Sequence, residues 1–466
     1  MKNDSTQQKV EEAIERLSRK KRRDRSASEK VRLLQLKLYQ KAKQQPTYTF
    51  YILYDKVCLA HVLEQAYLRC KTKDGSPGVD GVSFAQIEQD GRDAFLDQIG
   101  EELRTRRYKP SPVKRVWIEK ENGGQRPLGI PTIKDRVVQQ ACKMVIEPIF
   151  EADFEDCSHG FRPNRSAKDA ITQIKANLKE GKQAVYDADL SKYFDTIPHD
   201  KLMVILRQRI ADPRILRLIK QWLKVPIVEQ DGRYTGGRGN TKGTPQGGVI
   251  SPLLANIYMN LIDKIVASPQ GYYAKRGIRM IRYADDFILM GRDIRQEAIG
   301  RLHHYLHRMG LTINAEKSKQ VDARRESFDF LGFTFRHDRS IFDQTRRFWN
   351  IVPKTHSQKK VRQKIKAKLK AIGHYPPEQV AGELNPIIRG WVNYYRIPGV
   401  SYTQVATKNL NDYLRKRTEQ YYRRKSQRKS RLHGDQAYQM LTREYGLVTI
   451  YVSSGRRPAK AQRRKQ

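Results

Sequence analysis

Residues 278–292 read IRMIRYADDFILMGR, with Asp285 and Asp286 side by side between two short apolar runs rich in β-formers. Neighbouring carboxylates repel each other, and their burial without partners is costly, so a plain buried strand with nothing added is unfavourable. The runs Ile278 to Tyr283 and Phe287 to Met290 each have the length of one strand, which predicts a hairpin with the acidic pair at its tip. Such a tip can hold both carboxylates against a divalent cation, and a cationic side chain is expected close by. A solvated Asp-Asp turn is the plain alternative, so the pair needs support from elsewhere in the chain.

That support starts with QAVYDADLSKYFDTIPHD, residues 183–200, where Ala184, Tyr186, Ala188 and Leu190 alternate with Val185, Asp187 and Asp189. The alternation predicts a strand carrying acids at its end, one of which can join the pair. Carboxylates so grouped can bridge two Mg²⁺ ions about 4 Å apart, activate a 3′-hydroxyl and stabilise leaving pyrophosphate in an in-line displacement. Between the acidic segments lies GTPQGGVISPLLANIYMN, residues 243–260. Gly243, Gly247 and Gly248 allow close backbone approach to a ligand, and an apolar helix is expected from about Pro252.

Across 466 residues, 91 Lys plus Arg face 50 Asp plus Glu, a formal charge of +41. So large a surplus fits a polyanion partner, because each phosphate contact gains from counterion release. It argues against a membrane role: the excess runs along the whole chain, and no apolar segment approaches the roughly 20 residues that span a bilayer. Cysteines 58, 70, 142 and 157 form no close pair, which argues against disulfides and a Cys-rich zinc site. The N-terminus lacks a signal-peptide core, and Glu11, Glu12 and Glu15 interrupt its basic residues. An intracellular, reduced protein is expected.

Residues 1–50 are charge-dense: KVEEAIERL sets Val10, Ala13, Ile14 and Leu17 on one helical face, RKKRRDR follows, and SASE has capping-box spacing from Ser26 to Glu29. Residues 51–340 have the composition of an α+β domain, with helices expected over Leu202 to Ile210 and through Ile299, Leu302, Leu306 and Met309 to Gly310. Beyond about residue 350 strand signals fade. SQKKVRQKIKAKLKAI and LNPIIRGWVNYYR read as basic helices over 345–425, and 426–466 is a basic tail, part of a nearly cationic polymer.

The order acidic strand, glycine-rich turn and helix, then YADD hairpin resembles the reverse transcriptases encoded by group II introns. GSPGVDG at 75–81, RPLGIPTIKDRVVQQA at 126–141, SHGFRPNRSAKDAI at 158–171, GTPQGG, RYADD, AEKS at 315–318 and FDFLGF at 328–333 occur in family order, and the match covers roughly residues 65–420. The resemblance implies an α+β right-hand polymerase: fingers and palm over 51–340, with an antiparallel palm sheet, then a helical thumb, or X, maturase domain over 345–425. It implies an RNA-directed DNA polymerase that binds its host intron RNA, assists splicing and copies the intron into DNA by target-primed reverse transcription.

At matching positions it implies Asp189, Asp285 and Asp286 as catalytic metal ligands for two Mg²⁺ ions, with Mn²⁺ as a substitute, and the Leu190 carbonyl as a further ligand. Asp187 is a near neighbour and Asp195 structural. Phe194 is the wall against a 2′-hydroxyl, with core packing its alternative reading. Lys120 and Arg126, flanking ENGGQ, grip the incoming deoxynucleoside triphosphate. Gln246 lies near template and nucleotide, Lys317 near the primer, and Arg389, Trp391, Tyr394 and Tyr395 contact RNA. Partners are the intron RNA, an RNA template with its DNA primer, and target DNA, with no membrane, in the bacterial cytoplasm.

Longer family members carry a DNA-binding segment and a Cys-containing HNH endonuclease after the thumb. No cysteine follows it here, so endonuclease activity is not expected. Two alternatives stay open: a domesticated, diversity-generating or defence-associated reverse transcriptase, and a splicing-only RNA-binding maturase.

Overall fold

The capping box read from SASE closes as expected. Ser26 Oγ accepts the Glu29 N–H at 3.2 Å while the Glu29 carboxylate accepts the Ser26 N–H at 3.0 Å, starting the helix Ala27–Gln44. The structure, a computed structural model, describes residues 2–19, 25–119, 123–340, 343–373, 375–425, 432 and 436–450. Lys120, most of RKKRRDR and the end of the basic tail therefore lie outside the described residues. The chain divides into two compact units, Met1–Ser166 with Tyr186–Lys319, and Ala167–Val185 with Gln320–Gln466. No helix among the described residues is long and apolar enough to cross a membrane.

The first unit is organised around the helix Ile133–Glu151, in which nearly every side chain is buried. A helix buried this fully needs cover on several sides although it carries polar residues such as Asp135, Arg136, Gln139 and Gln140, and the helices Ala27–Gln44 and Ala60–Lys71 both pack on it. Arg209 closes the end of Ala27–Gln44, donating to the Ala42 and Gln45 carbonyls at 2.9 and 3.1 Å. One sheet orders Gln125–Ile130, Val113–Glu119, Pro226–Val228 and Tyr234–Gly236, with the central pair parallel and the outer pairs antiparallel.

A second sheet carries the acidic segments. Arg279–Tyr283 pairs antiparallel with Asp286–Gly291, from Arg279 opposite Met290 to Tyr283 opposite Asp286. Tyr186–Ala188, the end of the strand Ala184–Ala188, lies along the other side of Asp286–Gly291. Phe287, Ile288, Leu289 and Met290 are fully buried, which explains a continuous apolar run in place of alternation. The helix Ser251–Ala267 begins with Pro252 in its first turn, as its sequence predicts. The helix Gln296–Arg308 stops before Gly310, whose φ of +76° suits a residue without Cβ. The helix expected over Leu202 to Ile210 runs His199–Arg207.

The second unit holds the helix Ala167–Lys179 and an antiparallel sheet ordered Arg347–Pro353, Phe333–Arg339, Phe328–Phe330. Arg347–Pro353 is a strand inside the span expected to be helical. Trp349, Ile351 and Pro353 face inward at alternate positions, a period of two that the basic residues around it masked. The helices Thr355–Ala371, Pro377–Tyr395, Gln404–Lys425 and Ala437–Arg443 follow. In Thr355–Ala371, Val361, Ile365 and Leu369 are buried four residues apart while Lys364 and Lys366 between them point to solvent.

Candidate active site

The tip of the hairpin is tighter than the sequence suggested. Asp286 is already the first residue of the return strand, and Ala284 turns the chain at φ +61°, a left-handed conformation unfavourable for a side chain with Cβ. Two features hold it there. The segment around SHGF runs beside Arg279–Tyr283, with the His159 N–H bonded to the Arg282 carbonyl at 2.9 Å and the Arg282 N–H to the Cys157 carbonyl at 2.8 Å. Gly160 then passes so close that a Cβ on it would lie 2.4 Å from the Ala284 nitrogen.

The second feature is Arg282. Its guanidinium is fully buried and donates to both Asp263 carboxylate oxygens at 2.8 and 2.5 Å, to Asn256 Oδ1 at 2.9 Å, to Ser158 Oγ at 2.7 Å and to the Ala284 carbonyl at 2.8 Å. The cation expected beside the acidic pair is thus present, but it points into the core and grips the turn from below. Sequence reading missed Asp263, Asn256 and Ser158, since nothing local links positions so far apart.

Asp189 follows the strand Ala184–Ala188 and is fixed by its own backbone. Its N–H donates to Ser318 Oγ at 3.0 Å, and its carbonyl accepts from the Asn314 N–H at 2.8 Å. Leu190 bridges to Ile313. The AEKS block therefore packs beside the first aspartate, and Lys317 Nζ reaches within 3.7 Å of the Asp189 carboxylate.

Burial and neighbouring charge act on both members of the acidic pair. Desolvation pushes the Asp286 carboxyl up to about 7, assisted by the charges of Asp285, Asp189 and Asp187 and opposed by Lys317. Desolvation likewise raises Asp285, with Asp189 adding to the rise and Arg126 opposing it. Hard oxygen donors that resist ionisation together suit a hard dication, which binds the deprotonated set. Among the described residues no three acidic, His or Cys side chains already converge as a ready metal cage.

Beside the carboxylates is a cavity of about 730 Å³ whose wall includes Arg126, Phe194, Gln246 and Asp285, together with the basic Arg69 and Lys73. Phe194 is buried yet contributes to this wall. Arg126 Nε donates to Gln246 Oε1 at 3.0 Å, and Gln246 Nε2 donates to Asp195 Oδ1 at 2.9 Å. The glycine turn approaches closely: the Gly129 N–H bonds the Gln246 carbonyl, and Gly247 sits at φ +112°, where a Cβ would lie 2.2 Å from the Gly129 oxygen.

Comparison with known proteins fits this arrangement. Residues 118–335 match the family model "Reverse transcriptase (RNA-dependent DNA polymerase)", and residues 358–438 match "Group II intron, maturase-specific domain". Protein YkfC of Escherichia coli is 36% identical over 309 residues, covering 58% of this chain and 78% of that protein. The chain belongs to the group II intron reverse transcriptases. The group II intron-encoded protein LtrA of Lactococcus lactis is 39% identical over 191 residues, 40% of this chain and 31% of LtrA. An uncharacterized 91 kDa protein in a cob intron of Schizosaccharomyces pombe is 27% identical over 369 residues, 64% of this chain and 45% of that protein. The chain thus spans most of YkfC but less than half of these two relatives.

In this reverse transcriptase, the residues of the maturase-specific segment divide by burial. Tyr394 is 39% exposed, and Arg389 also faces solvent. Trp391 and Tyr395 are buried in the second unit, where Tyr395 packs on Phe333 at 5.0 Å between ring centroids and on Trp391 at the same distance. Burial thus separates these two rings from Arg389 and Tyr394, which offer more exposed groups to a partner.

Proposed function

We propose that this reverse transcriptase extends a DNA primer on an RNA template from the site built around Asp189, Asp285 and Asp286. The observation that carries the reading is that the strand leading to Asp189 lies beside the strand that begins at Asp286, so acids from two chain segments share one sheet beside a cavity lined by Arg126, Phe194 and Gln246. The three aspartates, with the Leu190 carbonyl, would hold Mg²⁺, or Mn²⁺ in its place. Bound there, the ions supply Lewis acidity that activates the primer 3′-hydroxyl and stabilises the leaving pyrophosphate.

The protein's own side chains do the rest. Arg126 presents a forked cation to the triphosphate, as Lys120 does a point charge in the family pattern. Phe194 closes the wall where a ribose 2′-hydroxyl would need room, favouring deoxynucleotides. Lys317 tempers the charge of Asp189 on the primer side. Residues 51–340 act as fingers and palm and 345–425 as a thumb that binds the host intron RNA through exposed groups such as Arg389 and Tyr394. Splicing assistance and target-primed copying of the intron in the bacterial cytoplasm follow from that pairing of functions.

The test is extension of a DNA primer on an RNA template in Mg²⁺. Asp285→Asn keeps the shape and removes a ligating charge, so extension is expected to fall by at least about 10²-fold. Equal rates for the two proteins would remove this site from the reaction.

A further inference from the structure

Asp195 sits outside the acidic site and reaches across to a different element. It belongs to the one-turn helix Tyr193–Thr196, adjacent to Phe194. The glycine turn docks onto this helix through its backbone, the Thr244 N–H bonding the Phe194 carbonyl at 2.7 Å and the Gly243 N–H bonding the Ile197 carbonyl at 2.8 Å. The approach is so close that a Cβ on Gly243 would lie 3.0 Å from the Asp195 carbonyl oxygen. Gln246 is thereby held between Asp195 on one side and Arg126 on the other.

The order of donors and acceptors in this chain is fixed by chemistry. A guanidinium can only donate hydrogen bonds and an ionised carboxylate can only accept them, whereas a primary amide has one end of each kind. With Arg126 and Asp195 at its two ends, Gln246 satisfies both in a single orientation, its oxygen toward Arg126 and its nitrogen toward Asp195. The reverse orientation would set N–H against N–H and carbonyl against carboxylate. We infer that Asp195 is a positioning residue for the nucleotide: by fixing the amide of Gln246 it holds the Arg126 guanidinium in the cavity wall, aimed at the triphosphate, and ties that grip to the Phe194 wall next door.

The inference rests on the polymerase reading above and deepens it. Asp195 touches neither nucleotide nor primer in this scheme. Its removal therefore weakens nucleotide capture and leaves the chemical step nearly intact. Losing one solvent-accessible hydrogen bond corresponds to about a three- to tenfold effect.

The experiment measures steady-state extension on an RNA template, with KM for a deoxynucleoside triphosphate and kcat determined separately. The same nucleotide is also titrated onto a complex whose primer ends in a dideoxynucleotide, which reads binding without chemistry. Asp195→Ala is expected to raise KM and the dissociation constant about three- to tenfold with kcat within about twofold. Asp195→Asn keeps an acceptor oxygen and is expected to restore most of the affinity. Unchanged nucleotide affinity in Asp195→Ala, or an Asp195→Asn protein as weak as Asp195→Ala, overturns the inference.

A charge exchange covers the case in which Asp195→Ala does not fold. Gln246→Glu alone puts two carboxylates face to face, whereas combined with Asp195→Asn it restores a donor opposite an acceptor. The double variant is expected to bind nucleotide at least about threefold more tightly than Gln246→Glu, and a double variant no better than the single one counts against Asp195. The two levels of the reading fail separately. A wild-type protein that makes no cDNA sinks the polymerase reading, while an active wild type with an Asp195-independent KM sinks only this one.

Discussion

At the scale of single residues, the acidic site is a place where the fold works against itself. Asp286 titrates at about 7, against an ordinary 3.8, because the protein around it desolvates the carboxylate and neighbouring carboxylates repel it. Between those values the unfolded chain is ionised while the folded site holds its proton. The group's contribution to stability is therefore fully present in acid and is lost as pH rises through about 7. Asp286→Asn has no charge to desolvate. In a chelator, its melting temperature is expected to exceed that of the wild type by more at pH 8 than at pH 5. Mg²⁺ at pH 8 is then expected to raise the wild-type melting temperature more than that of the variant, because only the wild type gains a partner for the charge. A melting difference independent of pH would show that the carboxylate is not the strained group.

At the scale of the element, a hairpin whose turn includes a left-handed alanine needs outside support, and Arg282 with Asp263 supplies it. Both side chains are fully buried, so removing one leaves the other charged and alone. Arg282→Met is expected to destabilise the first unit by about 3–5 kcal/mol, seen as a lower midpoint in urea unfolding. Replacing the pair together, Arg282→Met with Asp263→Leu, is expected to recover much of that stability but not extension, since the Ala284 carbonyl still loses its donor and the turn its geometry. Full activity in the double variant would show that the turn holds itself.

At the scale of the whole molecule, charge and chemistry are distributed differently. The surplus of +41 is spread along the chain, whereas the proposed metal ligands sit at one site. RNA binding and polymerisation should therefore separate. The double variant Asp285→Asn with Asp286→Asn is expected to keep its affinity for a structured intron RNA and to lose cDNA synthesis. Exchanging the exposed Lys359, Lys364 and Lys366 for Gln leaves the buried stripe Val361, Ile365 and Leu369 untouched. That change is expected to weaken RNA binding and to make log affinity less steep in log salt, by about 0.7 to 0.9 for each phosphate that is no longer neutralised. Extension on a short oligonucleotide template should persist. Filter binding over a salt series, run beside the extension assay, checks both; an unchanged salt slope would take this helix out of the RNA interface.

Much of the site was legible in the chain because its signals are local. Two adjacent aspartates between β-forming runs dictate a hairpin, alternation after Ala184 dictates a strand with acids at its end, and glycines before Pro252 dictate a tight turn entering a helix. The family order of the blocks then singles out Asp189, Asp285 and Asp286. Other features depend on residues far apart in sequence meeting in space, and no periodicity encodes those. The expected cation turned out to be Arg282, aimed at Asp263 and the turn. Asp195, which by sequence looked only structural, proved to be the partner of Gln246. Trp391 and Tyr395 carry the composition of an RNA-stacking surface, yet both are buried, Tyr395 against Phe333 and Trp391 against Tyr395, because burying a large ring yields more than leaving it in water. Sequence determined which side chains could do the chemistry; the tertiary structure decided which of them face a cavity, which face each other and which are enclosed.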